Sequence, residues 1–372
     1  MKTENWKKVR LGDILLIQKK SKIKASDGIE NGIYPFFTCS NDIVRTYNSA
    51  QYKGPALIFG TGGKASVHFC DTEFSTSTDC LTYYPVSSEI NLDLVNQYIQ
   101  SNIYLLENGF KGAGLKHVSR DYIANIEINL PDIKTQNCIV QKLNKAKNII
   151  SNSKKLLTKY DTLIKSRFIE MFGDPDQNPL NWEISNLGNF IENANNGMAR
   201  RGNDKNGKIV LRLVELQRGF IDYSDCNRIA IKTNEEKYLL KNNDFLFARV
   251  NGNPDNVGRC CYYKDIGEEV YHNDHIIRVH FDENRLNEYY LNTLLNSEYG
   301  KSEFKKYIKT SAGQYTIAQD GISSAQIPIP PIELQNDFAS FVQQIDKSKF
   351  TVQKSLEKAE TLYKSLMQQY FA

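Results

Sequence analysis

Residues 130–137 read Leu-Pro-Asp-Ile-Lys-Thr-Gln-Asn, and residues 329–336 read Ile-Pro-Pro-Ile-Glu-Leu-Gln-Asn. When Pro131 is placed on Pro330, an offset of 199 residues, the alignment continues without a gap to Phe172 and Phe371. An internal repeat decides the architecture of a chain, so it is sought before any local signal. The repeat indicates the order globular unit, long helix, globular unit, long helix.

A second pair of matching segments opens the two globular units. Residues 5–14 read Asn-Trp-Lys-Lys-Val-Arg-Leu-Gly-Asp-Ile, and residues 181–190 read Asn-Trp-Glu-Ile-Ser-Asn-Leu-Gly-Asn-Phe, an offset of 176. The offset is 23 residues smaller than that of the helices, so the second globular unit carries insertions of that net size. Between the copies, residues 173–179 read Gly-Asp-Pro-Asp-Gln-Asn-Pro, which are helix stops and turn formers. We predict globular domains at 1–131 and 181–330, helices at 132–172 and 331–372, and a linker at 173–180.

The two long segments carry apolar residues at spacings that alternate between four and three, and neither contains Gly or Pro from 132 to 172 or from 332 to 372. A sustained 3.5-residue period favours a coiled coil, because it keeps one seam facing a partner helix. We predict an α+β chain in which two similar mixed α/β domains are joined by an antiparallel coiled coil with pseudo-twofold symmetry. Two amphipathic helices that each pack on their own domain are the alternative. The predicted seam comprises Ile139, Leu143, Ile150, Leu157, Ile164, Phe338, Val342, Ile345, Val352, Leu356, Tyr363 and Leu366.

The composition limits the class of protein. The 372 residues are 40% hydrophobic, with 21 Tyr and 18 Phe, which is enough to build cores. No run reaches the roughly 18 apolar residues of a membrane span, and Met1–Trp6 do not begin a signal peptide. The seven cysteines form no Cys-x-x-Cys pair, so we expect a reducing, cytoplasmic setting. The first long helix has nine basic and three acidic residues. Its net charge of +6 exceeds the net charge of +4 of the whole chain.

Both globular units contain a strand, a polar glycine turn and a second strand, followed by an amphipathic helix at Leu92–Glu107 or Glu288–Lys306. None of their motifs argues for catalysis. Residues 60–65, Gly-Thr-Gly-Gly-Lys-Ala, lack the spacing of a phosphate-binding loop, and a tight turn is favoured over an S-adenosylmethionine site. His272-Asn273-Asp274-His275 lacks a third metal ligand and is interpreted as a turn at a strand end. Cys260-Cys261 is interpreted as a buried apolar pair.

The ordered set of motifs resembles the specificity (S) subunit of type I restriction–modification systems. The resemblance rests on Trp6 with Leu11-Gly12-Asp13, its counterpart at 182–188, the Pro and Gln entries to both helices, and Phe172-Gly173-Asp174-Pro175. Asn189 replaces Asp13 in the second copy, a departure at a position that we take as structural. The resemblance implies two target recognition domains that each read half of a bipartite DNA sequence, with the helices setting the gap.

The resemblance also implies partners: two methyltransferase (M) subunits docked on the helices, and restriction/translocase (R) subunits. S-adenosylmethionine, ATP and magnesium then belong to those partners, and this chain binds no cofactor or metal and has no catalytic residue. The residues expected to contact DNA are polar and basic side chains on turns, with Arg249 and Asn251 ranked highest because they end a strand. The full set is Thr61, Lys64, Lys111, Lys116, His117, Arg120, Arg200, Arg201, Arg249, Asn251, Asn253, Arg259, Lys309 and Gln314.

Two other classes of function stay open at this point. A duplicated coiled-coil scaffold would hold protein partners without reading DNA. A standalone enzyme would use Cys260 or the pair His272 and His275, and its activity would be lost when those residues are replaced.

Overall fold

A computed structural model describes residues 6–42, 45–112, 114, 116–311 and 313–371. Met1–Asn5, which form most of the segment Met1–Trp6 examined for a signal peptide, lie outside the described residues, as do Ala113 and Leu115 of the first basic loop and Ala312 of the second. The chain divides into two compact units, residues 1–154 with 353–372 and residues 155–352. Each unit therefore contains one β-rich domain and part of each long helix.

The first domain is built on two four-stranded sheets, ordered β2-β9-β6-β7 and β4-β3-β8-β5, and on an antiparallel pair, β1 with β10. Its strands are β1 (Lys7–Arg10), β2 (Leu15–Ile17), β3 (Tyr34–Phe37), β4 (Arg45–Tyr47), β5 (Tyr52–Lys53), β6 (Ala56–Gly60), β7 (Ser66–Cys70), β8 (Glu73–Thr76), β9 (Cys80–Pro85) and β10 (Glu127–Leu130). Its helices are α1 (Leu11–Ile14), α2 (Leu92–Ser101), α3 (Tyr104–Glu107) and α4 (Arg120–Ala124), and the long helix α5 (Ile133–Phe172) follows.

Strand β6 is apolar without alternation because both of its faces are buried. Leu57 and Phe59 belong to the main core of the domain. Ala56 and Ile58 belong to a smaller core on the other side. A strand buried on both faces has no polar side, which explains the continuous apolar run in its sequence.

The second domain has sheets ordered β12-β19-β15-β17, β14-β13-β18 and β16-β21-β20, with β11 paired to β22. Its strands are β11 (Glu183–Asn186), β12 (Ile191–Asn196), β13 (Lys208–Leu211), β14 (Arg228–Ile229), β15 (Phe245–Ala248), β16 (Val250–Asn251), β17 (Cys260–Tyr262), β18 (Val270–His272), β19 (Ile276–Phe281), β20 (Lys309–Ser311), β21 (Gln314–Thr316) and β22 (Gln326–Ile329). Its helices are α6 (Glu288–Leu295), α7 (Glu298–Lys305) and α8 (Gln319–Ser324), followed by the long helix α9 (Ile332–Phe371).

The two domains share a topology, as the repeat predicts. In the first, β3 and β8 run parallel while β2, β9, β6 and β7 are antiparallel. In the second, β13 and β18 run parallel while β12, β19, β15 and β17 are antiparallel. The sheet β16-β21-β20 has no counterpart among the described strands of the first domain. In the first domain the corresponding described positions form only isolated bridges, of His117 with Gly62 and with Lys111, so the second domain extends a pairing that both copies share.

The prediction of one continuous amphipathic helix in each domain was wrong. Ser101 ends α2 before α3 begins at Tyr104, and Leu295 ends α6 before α7 begins at Glu298. In the second domain the Asn296 amide donates to the carbonyls of Asn292 and Cys260, at 2.9 and 3.0 Å, and the Ser297 hydroxyl accepts from Gly300 N. Such short polar side chains satisfy backbone groups locally, which stops one helix and starts the next.

A buried glutamine fastens each long helix to its own domain. The Gln136 amide donates to the carbonyls of Glu89 and Pro131 and accepts from Asn91 N at 2.8 Å. Gln335 makes the same three bonds in the second domain, with Arg285, Pro330 and Asn287 as its partners. Buried amides need such partners, so the Gln of the repeated entry motif is required by the junction.

The long helices pack against one another in both units. In the first unit, Ile139 and Leu143 of α5 share a core with Tyr370 and Phe371 of α9, and the carbonyl of Phe371 accepts a hydrogen bond from Asn102. In the second unit, the last turns of α5 and the first turns of α9 share a core through Phe168, Phe172 and Phe338. The beginning of each helix meets the end of the other, so the pair is antiparallel.

Every residue of the predicted seam is buried or half-buried. Two neighbours on α5, Leu156 and Leu163, are instead exposed. Lys349, the polar break in the second seam, is half-buried and pairs with Asp161 at 2.7 Å.

Candidate nucleic-acid interface

In the first domain the glycine turn after β6 lies against the loop that precedes α4. The backbone of His117 forms isolated antiparallel β-bridges with Gly62 and with Lys111. Its ring Nδ1 lies 3.2 Å from the carbonyl oxygen of Thr61. Gly63 N donates to the carbonyl of Lys116. The structure thus brings Thr61, Lys64, Lys111, Lys116 and His117 into one region, which we call the first polar surface.

The charge of the first polar surface is positive. Lys64, Lys111 and Lys116 are exposed, and no ion pair with another described residue involves their ammonium groups. Arg120 is also exposed and opens α4 just after the loop. Thr61 is held inward, because its hydroxyl donates to the carbonyl of Asp79 at 2.8 Å. A solvated cluster of lysines matches the phosphate backbone of DNA.

In the second domain the small sheet β16-β21-β20 gathers three of the predicted residues. Asn251 pairs with Tyr315, and β20 pairs with β21 so that Lys309 and Gln314 lie on neighbouring strands. Lys309 and Gln314 are exposed. The side-chain oxygen Oδ1 of Asn251 accepts a hydrogen bond from Asn253 N at 2.9 Å, which orients the side-chain amide. Asn and Gln amides are the groups that pair with adenine edges in the major groove.

Two arginines converge beside this sheet on Asp274. The Arg201 guanidinium donates to the Asp274 carboxylate at 2.7 Å, and Arg249 donates to the Asp274 carbonyl at 3.1 Å. The Ile317 amide donates to the carbonyl of Arg249, next to β21. We call the sheet β16-β21-β20, with Arg201 and Arg249, the second polar surface.

Three other residues predicted to contact DNA, Arg200, Arg259 and Asn253, instead contact other parts of the second domain. Arg200 holds Glu235 through two hydrogen bonds, at 2.8 and 2.6 Å, and this pairing lowers the pKa of the Glu235 carboxyl to about 2. Arg259 donates to the carbonyl of Leu213, and burial lowers the pKa of its guanidinium. Asn253 is exposed and caps the turn Pro254–Asn256. Arg200 and Arg259 therefore act within the domain, and we place neither of them on the second polar surface.

Several other polar residues of the second domain were not predicted as site residues. His275 lies 3.3 Å from the Arg201 guanidinium, and its motif was interpreted as a turn, with a metal site and a catalytic histidine pair as the alternatives. Arg218, Lys301 and Lys305 line a hollow of about 430 Å³ together with Asp255. They come from a loop and from α7, so only the fold brings them together. No local spacing in the sequence marks them.

The His272–His275 segment is the turn between β18 and β19 that the sequence predicts. His272 is fully buried, and its Nδ1 lies 3.1 Å from the carbonyl of Tyr238. Within the described ranges, no group of three His, Cys, Asp or Glu residues could hold a metal ion. Cys260 and Cys261 are fully buried, as expected for an apolar pair.

Burial lowers the pKa of His272 to about 4, which predicts a loss of stability in acid. The folded state keeps the ring neutral, whereas the unfolded chain takes up a proton below pH ~6.5. The free energy of unfolding should therefore fall as the pH drops from about 6.5 to 4, by about 3 kcal/mol from this residue. His68 acts in the same direction, because burial lowers its pKa as well.

Chemical denaturation of the wild type and His272→Gln across this pH range isolates the contribution of His272. The variant should be less stable at pH 7 and should show a shallower pH dependence. His117→Gln, which replaces an exposed ring, is the control and should keep the wild-type slope. Equal slopes for the wild type and His272→Gln would contradict the prediction.

Comparison with known proteins identifies the family to which the chain belongs. Residues 3–159 and 179–360 match the family model for the type I restriction modification DNA specificity domain. The two matches coincide with the two copies of the repeat. They cover well over half of the chain.

Individual relatives agree with the family match. The chain is 28% identical to the type I restriction enzyme StySPI specificity subunit of Salmonella potsdam, over 70% of this chain and 59% of that protein. It is 23% identical to the MjaVIII specificity subunit of Methanocaldococcus jannaschii, over 98% of this chain and 91% of that one. The chain thus spans about three-fifths of the length of the Salmonella relative.

The fold has a match among solved structures. The crystal structure of a type I restriction-modification system S subunit from M. genitalium superposes with a TM-score of 0.74 at 14% identity. The alignment covers 99% of this chain and 96% of that one. At this identity the likeness shows a common fold.

Proposed function

The chain belongs to the type I restriction–modification DNA specificity family, and we propose that it reads a bipartite DNA target for such a system. In this proposal the first domain reads one half of the sequence and the second domain reads the other. The long helices set the number of unread base pairs between the halves. The chain itself performs no chemistry.

One observation carries this proposal: a shared topology presents different polar side chains in the two copies. The first polar surface is rich in lysine, which serves contacts to phosphate. The second combines Arg201 and Arg249 with the amides of Asn251 and Gln314, which are the side chains that read guanine and adenine edges. A duplicated framework with divergent polar surfaces fits two half-sites of different sequence.

The predicted contribution of the first polar surface is electrostatic. Each lysine that neutralises a phosphate contributes about 0.9 to the slope of log affinity against log salt concentration. The triple variant Lys64→Gln/Lys111→Gln/Lys116→Gln should therefore lower that slope by about 2.7 and weaken binding to all duplexes. The measurement is a salt titration of DNA binding by the complex of the chain with its methyltransferase subunits.

A matched triple variant separates the contribution of the surface from that of net charge. Lys19, Lys22 and Lys24 of the same domain lie outside the first polar surface, and their replacement by Gln removes the same charge. That control should leave the salt slope near the wild-type value. Equal slopes for the two triple variants would contradict the proposed contact.

We further propose that methyltransferase subunits dock on the long helices. In the second unit, a groove of about 940 Å³ is lined by α5, by α9 and by the loop that contains Phe220. Its apolar members Ile169 and Phe220 are 48% and 59% exposed, and Leu156 and Leu163 lie exposed on the same helix α5. Exposed apolar side chains of this extent favour a protein partner.

The variant Ile169→Glu/Phe220→Glu tests the docking. Both side chains are largely exposed, so the chain should stay folded while two buried charges oppose the complex. We expect affinity for the methyltransferase subunit to fall at least about 100-fold, since each uncompensated charge costs several kcal/mol. Val214→Glu, at a 64% exposed residue outside the groove, should bind normally. Normal binding of the groove variant in titration calorimetry would contradict this docking site.

The remaining assignments follow from this proposal. The methyl donor S-adenosylmethionine, ATP and magnesium are bound by the partner subunits, and restriction/translocase subunits join the same core. The complex acts on chromosomal DNA in the cytoplasm. Within the described residues, no helix combines the length and apolar character that crossing a membrane requires.

A scaffold that never touches DNA is disfavoured by the comparisons, because the matching family is a DNA specificity family and the relatives are specificity subunits. The scaffold would also leave the two polar surfaces without a role. Unchanged DNA binding after replacement of Lys64, Lys111 and Lys116 by Gln, and of Asn251 and Gln314 by Ala, would restore it.

A further inference from the structure

Two cysteines of the first domain meet beneath the glycine turn. Cys80 begins β9 and pairs with Gly60 across the β6–β9 ladder. Cys39 follows β3 and lies over the same position, because a Cβ on Gly60 would be 3.0 Å from the Cα of Cys39. The Cys39 thiol donates to the carbonyl of Asp79, the residue before Cys80, at 2.9 Å, and the Cys80 thiol donates to the carbonyl of Phe37, two residues before Cys39, at 3.6 Å. The sulfur atoms are therefore neighbours although 40 residues separate them in sequence.

The two sulfur atoms have different surroundings. Cys80 is 1% exposed, whereas Cys39 is half-buried and can meet a small solute. The Cys39 thiol donates to the carbonyl of Asp79 at 2.9 Å, and Gly62 N–H donates to the Cys39 sulfur at 3.4 Å. Hydrogen bonds from the Cys80 thiol and from backbone amides lower the pKa of Cys39 against the opposing effect of burial. The same contact and burial raise the pKa of Cys80.

We propose that Cys39 and Cys80 are an oxidisable pair that reacts with a small peroxide and closes to a disulfide. Cys39 is the reactive thiol, because it is the accessible member of the pair and accepts an amide hydrogen bond. Cys80 is the resolving thiol. The modification site is independent of the proposed DNA reading, although it lies beneath the first polar surface.

The chemistry balances with hydrogen peroxide as the oxidant. The Cys39 thiolate attacks one peroxide oxygen, so an S–O bond forms, the O–O bond breaks and hydroxide leaves. The sulfur is now a sulfenic acid and no longer carries the charge that opposes ionisation of Cys80. The Cys80 sulfur then attacks Cys39: the S–S bond forms, the S–O bond breaks, and the departing hydroxide takes the Cys80 proton as water. Two thiols lose two electrons, and the peroxide becomes two waters.

The test is intact-mass and peptide mass spectrometry of the full chain after brief treatment with hydrogen peroxide at pH 7, under native and non-reducing conditions. The wild type should lose about 2 Da and yield a peptide pair that joins Cys39 to Cys80. Cys80→Ser should stop at a sulfenic acid on Cys39, trapped by dimedone. Cys70→Ser, at another buried cysteine of the same domain, should still form the disulfide.

Reaction rates provide a second measurement that needs no substitution. Cys226 is also half-buried, and burial raises the pKa of its thiol. Cys39 should therefore be oxidised at least about tenfold faster than Cys226, since the thiolate is the reactive form. Oxidation of Cys39 without a Cys39–Cys80 linkage would overturn the proposal. Equal or faster oxidation of Cys226 would do the same.

Discussion

Phe338→Ala should lower the free energy of unfolding by about 3–5 kcal/mol, the usual cost of removing a buried phenylalanine. Phe338 is 0% exposed and lies at the second-unit end of the helix pair. Its ring meets Phe168 and Phe172 of α5 edge-on, with centroids 5.6 and 5.5 Å away. Phe172 also packs on Tyr290 of the domain at 4.7 Å. Truncation would leave a cavity where α5, α9 and the second domain meet.

Phe350→Ala is the matched control on the same helix. Phe350 is 61% exposed, so its truncation removes far less buried area, and we expect a loss below about 1 kcal/mol. Urea unfolding of both variants supplies the measurement. A loss for Phe338→Ala no larger than that for Phe350→Ala would show that the aromatic junction does not hold the second unit together.

The second large effect concerns DNA reading by the second domain. Asn251→Ala/Gln314→Ala should remove two amides that we propose select base edges, each worth about 1–3 kcal/mol of discrimination. The preference for the correct second half-site should fall by about 2–6 kcal/mol, a factor of about 30 to 20,000. Recognition of the first half-site should be unchanged, because its residues lie in the other domain.

Competition binding with duplexes mutated in one half at a time measures this effect on the complex with methyltransferase subunits. The control is Asn284→Ala/Gln344→Ala, which removes two exposed amides outside the second polar surface. That control should keep both preferences. A uniform loss of affinity for both half-sites would mean that Asn251 and Gln314 contact phosphate or hold the fold.

The repeat made the architecture predictable, since Gln136 and Gln335 occupy identical junctions that only a duplicated unit explains. The helix break at Asn296 and Ser297 was not predictable by periodicity, because apolar spacing continues through a polar cap. The contacts of Arg200 and Arg259 within the second domain were also not predictable from the sequence. A basic residue on a turn looks the same in sequence whether it faces solvent or, like Arg200, is held by Glu235 from 35 residues away.

Residues that only tertiary structure brings together were the least predictable. Cys39 and Cys80 share no sequence motif, yet the β6–β9 ladder and the segment after β3 bring each thiol within hydrogen-bond distance of the backbone next to the other cysteine. His275 and Arg201 meet in the same way, through the turn between β18 and β19. Long-range proximity of this kind follows from strand order, which short motifs do not encode.

The most direct test of the central claim is the DNA methylome of the source cell with and without the gene for this chain. The account predicts that the intact cell methylates a motif of two specific halves separated by a constant gap, and that this motif disappears when the gene is deleted. In a cell that carries Asn251→Ala/Gln314→Ala, only one half of the motif should relax. An unchanged methylome after deletion, or loss of a contiguous motif without a gap, would contradict the account.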